Sequence, residues 1–324
     1  MTAERRTFLL RTAVCVALTA IMTAAAELSG EKEIIFPEIA ALAVGAIAAP
    51  KQSWCVSKIR MVLLIAICSV AGILTVRYSP LPKAENVVAA YLLCQGILLF
   101  SRTSFAPLIS AAVLPILMDT ETIIYPISAV SMTVLIIAAR GILEHFGYCA
   151  KEDFVPLPPP DCAKAISALV RTAVVQAAAL PLIHFGYQLC IAPPLLVAFT
   201  EFSNPESKAR SRPIKTVAVI AVCALVGTLL RYLLCVSAGA PLTAAAALSV
   251  AAALSVMRLT RIYIPPAGAL GMLPMIIPQE SLLAYPLQIL VGAAVLTAAA
   301  MAIGWIFKKS HEKEESACDK AEVK

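Results

Sequence analysis

The chain has 324 residues, 60% of them hydrophobic and 14% charged, with a formal net charge of +6 and a mean hydropathy of +0.87. Soluble domains carry about 25% charged residues, so there is too little polar sequence here to coat a soluble core, and the composition is that of a polytopic membrane protein. In a soluble chain the positive charge would point to nucleic acid; here it sits mainly in loops that membrane orientation gathers on one side, and no nucleic-acid partner is expected.

The N-terminus has the basic start and apolar run of a signal peptide. However, Leu10–Val14 (LRTAV) recurs in mid-chain as Val170–Val174 (VRTAV), so the first run is read as a membrane segment. Further apolar runs lie near 34–50, 59–76, 86–101, 104–118 and 122–139, and a second set near 166–189, 190–202, 214–236, 240–257, 262–278 and 281–307. The expected fold class is therefore an all-α polytopic membrane protein built of two parallel internal repeats. Each repeat holds about six membrane segments, and twelve crossings are expected. The boundaries are a first repeat 1–145, a Pro-rich cytoplasmic linker 146–165, a second repeat 166–307 and a charged cytoplasmic tail 308–324.

Several further matches follow in order along both halves, as a duplication requires. Ser101-Arg102 before Pro107 returns as Thr260-Arg261 before Pro266, Leu114-Pro115 as Leu273-Pro274, and Tyr125-Pro126 as Tyr285-Pro286. With every segment crossing, 22 of the 26 lysines and arginines fall on one side. That side is expected to be cytoplasmic, with both termini on it. The absence of glycosylation sequons and the alanine-rich helices suit a bacterial inner membrane, and the small body with short loops suits a homodimer.

Two segments per half are short for a crossing and read as Pro-broken half-helix or re-entrant segments. A 15-residue helix reaches only about 22 Å, against a hydrocarbon core of about 30 Å. The short runs are opened or broken by Pro37, by Pro107, by Pro193-Pro194 and by Pro265-Pro266. Paired, proline-interrupted short segments in corresponding places are the usual pointer to a transporter's site. Their N-termini are expected to offer free N–H groups and positive dipole ends to an anion. The plainer alternative is a set of kinked core helices.

Glu38 follows Pro37 at such a start, where a carboxylate either caps the helix or is an embedded proton or cation site. Glu201 and Asn204 end the matching second segment, as loop residues or as part of a gate or site. Arg102 and Arg261 either anchor the interface or flank an anion route. Gln95, Gln176, His184 and Gln288 read as interhelical hydrogen-bond partners. No cofactor, metal or nucleotide motif is present, and no enzyme is expected.

Ile264–Pro274 (IPPAGALGMLP), after Thr260-Arg261, resembles the signature of the HPP family of integral membrane proteins, whose His-Pro-Pro-Ala-Gly-Ala run has Ile264 here in place of histidine. Pro194–Pro213, with its polar cluster and Arg-Pro start to the next helix, is similar to that family's other block. The resemblance implies four-helix units, two of them in this chain, and a small inorganic anion as cargo. The function expected is membrane transport of a small solute by a secondary transporter or channel with its site between the repeats. The rival is a membrane-embedded binding or scaffold protein.

Overall fold

The structure is a computed structural model and describes residues 3–204 and 207–322; Pro205 and Glu206 of the basic loop, and the last two residues of the tail, lie outside the described residues. The first half runs α1 (Ala3–Ser29), α2 (Glu38–Ala43), α3 (Lys58–Tyr78), α4 (Lys83–Ser101), α5 (Pro107–Met118) and α6 (Ile124–His145). The second runs α7 (Cys162–His184), α8 (Pro193–Ser203), α9 (Pro213–Leu230), α10 (Leu242–Thr260), α11 (Pro265–Met272) and α12 (Tyr285–Glu322). All regular structure among the described residues is helical.

Eight of these helices are long and apolar enough to cross a membrane: α1, α3, α4, α6, α7, α9, α10 and α12. Their outward faces are apolar, as on α3, where Leu63, Ile67, Val70 and Leu74 are exposed while Leu64, Ile65 and Cys68 are buried. Such faces suit lipid rather than water.

The other four are short and buried. Glu38 to Ala48, the last five residues as a π-helical turn, spans about 16 Å at 1.5 Å per residue. That is half of a bilayer core. The twelve expected crossings thus resolve into eight full-length helices and four composite segments, each an irregular lead followed by a half-length helix.

Hydrogen bonds fix the direction of the composites. Arg11, near the start of α1, donates from Nη1 to Ala49 O (3.2 Å) beyond the π turn, and from Nε to Tyr148 O (2.8 Å) beyond α6. The start of α1 and the ends of the π turn and of α6 therefore share one end of the bundle. The lead into α2 comes from the other end, where Ser128 Oγ, in the first turns of α6, donates to Ile34 O (2.5 Å). This lead is irregular backbone buried in protein, the only place where a membrane tolerates it. Its Phe36 packs edge-on against Tyr125, with centroids 5.8 Å apart.

α5 runs the opposite way. Its lead is tied to the first end by Cys55 N donating to Ser104 Oγ (2.8 Å). Its far end closes with Asp119, paired to Lys83 at the start of α4.

Packing between the halves is reciprocal. α1 lies on α10 and α7 on α4; α2 lies on α11 and α8 on α5. Close backbone approaches match too. A Cβ on Gly72 of α3 would run into Ala112 O of α5, and a Cβ on Gly227 of α9 into Gly271 O of α11. Tyr125 Oη donates to Ala111 O (3.1 Å) and Tyr285 Oη to Leu270 O (2.7 Å). Arg102 and Arg261 end α4 and α10 in the left-handed region, at φ 53° and 57°.

Candidate functional site: a buried carboxyl among four short helices

All four short helices begin at one place. Glu38 and Ala41 of α2, Pro107 of α5, Pro194 and Val197 of α8, and Pro266 and Ala269 of α11 line a single gap at the centre of the molecule. The geometry repeats from helix to helix: a residue of the first turn and the residue three positions on, one helical turn along the same face. On α5 the residue at +3 is Ser110.

The gap is shut, too tight to hold a water molecule. Its polar side-chain groups are few. Glu38 is 1% exposed and Ser110 fully buried, and both Glu38 carboxyl oxygens and Ser110 Oγ lack a hydrogen-bond partner. The two lie close enough to act on one another as hydrogen-bond partners, although neither meets strict hydrogen-bond geometry. Tyr125 and Tyr285 are within electrostatic reach of Glu38, but their hydroxyls are engaged on the carbonyls named above.

The expectation of free N–H groups is corrected here. Proline has no N–H, and the amides that follow turn back onto the chain before them. Ala40 N donates to Pro37 O (3.1 Å), Ile109 N to Ala106 O (3.0 Å), Leu195 N to Ala192 O (2.7 Å) and Ala267 N to Ile264 O (3.0 Å). The positive ends of the helix dipoles remain; those amides are engaged.

Toward the first end, α8 carries a second group of polar residues. Thr200 Oγ1 lies 2.7 Å from Tyr91 Oη and accepts weakly from Gln95 Nε2 at 3.4 Å. Glu201 Oε1 accepts from Trp54 Nε1 (2.7 Å), and the Trp54 indole meets Phe105 edge-on at 5.4 Å. Trp54 lies against Gly45, where a Cβ would collide with the ring.

Of the residues expected from sequence, Pro107, Pro194, Pro266 and Glu38 meet at the gap, with Pro37 and Pro193 adjoining them in the chain. Glu201 does not reach it; it holds Trp54. Asn204 is exposed at the end of α8. Arg102 holds the linker instead of flanking a route: its Nε donates to Leu157 O (2.6 Å), and its carbonyl accepts from Leu157 N (3.0 Å). Arg261 is exposed beyond α10. Gln95 does bond between helices, whereas Gln176 and His184 face outward from α7.

Sequence reading missed Ser110, Trp54 and Arg140. Arg140 is 4% exposed. It donates from Nη1 to Ala46 O (3.0 Å) and from Nε to Glu144 Oε1 (2.7 Å), a cation set on the negative end of the α2 segment. Among the described residues no group of three or more His, Cys, Asp or Glu could hold a metal ion.

Eight membrane-length helices around four buried half-helices define a polytopic membrane protein of the all-α class. Residues 159–313 match the family model described as HPP, transmembrane region, so the second part of the chain is similar to that family. No curated protein and no solved structure matches the chain.

Proposed function

We propose that the protein is a carrier that moves a small solute through the central gap, opening it alternately to the two ends. One observation carries this reading: four half-length helices, two from each half, start around one buried, unpartnered carboxyl. Burying an acid away from water and partners costs several kcal/mol, which a purely structural core would avoid with an apolar residue. The closed gap suits an occluded state. The reciprocal packing of α2 on α11 and α8 on α5 supports a gap that opens as one half rocks against the other.

On this reading the halves are duplicated, parallel repeats and the more basic end faces the cytoplasm, with both termini there. A bacterial inner membrane and a homodimer fit the same reading. Three helix dipoles with their positive ends at the gap favour a small anion as the cargo.

The test is uptake by proteoliposomes of nitrate, formate and acetate under an inward pH gradient. Wild type should exceed protein-free vesicles for at least one of them, and Glu38→Gln should return that net uptake to the protein-free rate. Should wild type move none of them, the chain is a membrane-embedded scaffold and the transport reading fails.

A further inference from the structure

We infer that the central gap takes a small monovalent anion only together with a proton on Glu38, so that the two occupy the site as a pair. The inference rests on the reading above for where the site is, and not for whether the solute crosses.

Charge comes first. α5, α8 and α11 each begin at the gap and have the length to carry a dipole there, so their positive ends favour one negative charge between them. Glu38 can be that charge. A second anion beside an ionised Glu38 would place two negative charges within contact distance in a dry interior, a repulsion of several kcal/mol even at an effective dielectric of about 20. Among the described residues no cation acts on Glu38 to offset it. Arg11 and Arg140 are taken up at Ala49 O and Ala46 O, at the other end of the α2 segment.

The groups facing Glu38 from its neighbours are Tyr125 of α6 and Tyr285 of α12, both engaged on carbonyls. Cys15 of α1 is directed to Ala43 O, and Ser110 of α5 completes the set. α11 adds no titratable side chain and α8 adds only Glu201, which is held by Trp54. Glu38 is therefore the group positioned to change charge when an anion arrives.

Donors come second. A desolvated anion needs hydrogen-bond donors. The proline starts and the turned-back amides described above withhold the backbone groups at the helix openings. What the gap keeps are two buried side chains with no partner beyond each other: Ser110, whose Oγ–H can donate, and Glu38, which can donate only when protonated. An anion seated between them would be gripped by both. Removing the proton from Glu38 both deletes a donor and adds a repulsive charge. The proton comes from bulk water on the open side, and no covalent bond other than its O–H is formed or broken.

The experiment is proton uptake by the purified full-length protein in weakly buffered detergent solution. Sodium nitrate and sodium formate are added as probes, with binding measured in parallel by calorimetry. Well above the pH where free Glu38 is half protonated, wild type should take up about one proton per anion bound, and in that range the apparent Kd should rise about tenfold per pH unit. Glu38→Gln should bind with no proton uptake and a flat pH profile. Ser110→Ala should weaken binding while leaving the proton count per bound anion unchanged. In that pH range, binding by wild type without proton uptake overturns the inference, as does the absence of binding by either probe at acidic pH. The wild-type count decides the matter even if the Glu38 variant fails to fold. Coupled binding with no flux in proteoliposomes would sink the transport reading and leave this one standing; flux with no proton uptake would do the reverse.

Discussion

Glu38 and Glu201 look alike in the sequence, each an acid on a short apolar segment, and their surroundings separate them. Glu38 has no partner, whereas Glu201 accepts the Trp54 indole N–H at 2.7 Å. Glu201 is therefore a structural acceptor that holds the Trp54 indole. Trp54→Phe keeps the ring but deletes the donor, leaving a largely desolvated carboxyl unsatisfied. A loss of about 1–3 kcal/mol is expected, read as a lower unfolding midpoint in detergent. Glu201→Gln, which retains an acceptor oxygen, should lose less. Equal losses in the two variants would mean that the hydrogen bond is not what matters there.

Ser110 was legible in principle. It stands three residues after Pro107, as Ala41 stands after Glu38 and Ala269 after Pro266, and that spacing puts it on the face of α5 that carries Pro107. Trp54 was not legible. It lies in a loop, where no periodicity directs a side chain, and its partner is 147 residues away.

At the scale of the helices, proline and run length carried most of the information. Runs of 13 to 17 residues opened by proline could not span a bilayer as helices, and the structure places half-length helices in all four. The boundaries shifted where the chain is irregular. The expected 34–50 segment begins its α-helix only at Glu38, because its lead is held in place by tertiary contacts such as Ser128 to Ile34 O. Local sequence has no means of announcing such contacts.

The free amides expected at the helix starts failed for a local reason. The prolines that mark those starts also remove the donors there.

Glycine at the crossings is a helix-scale feature. Gly227→Ala would drive a Cβ into the Gly271 carbonyl, backbone against backbone. Neither side can yield by rotating a side chain, so a cost of about 1–3 kcal/mol or more is expected. Gly72→Ala should behave alike against Ala112. Gly96→Ala, on α4 with open space where its Cβ would go, should stabilise by about 0.5–1 kcal/mol through helix propensity. Thermal unfolding of the three variants side by side checks the packing; a neutral Gly227→Ala would contradict the close crossing of α9 and α11.

For the molecule as a whole, the eight full helices form a frame around four half-helices. The buried carboxyl of Glu38 stands where the half-helices begin. If the more basic end is cytoplasmic, cysteines introduced at Lys51 and Lys151 should react with an impermeant thiol reagent only in inside-out vesicles, and at Lys32 and Lys83 only in right-side-out cells. Labelling of both sets from one side would contradict the composite crossings.

The central claim is that solute passes between the short helices of the two halves, and one measurement addresses it most directly. In a background free of native cysteines, Ala269→Cys on α11 and Leu283→Cys on the outer surface are each treated with a small methanethiosulfonate during turnover in proteoliposomes, and anion uptake is followed. Modification at 269, a site fully buried in the closed form, should stop uptake and be slowed by saturating anion, whereas modification at 283, which is 72% exposed, should leave uptake intact. Full uptake after complete labelling at 269 would mean that the solute takes another path.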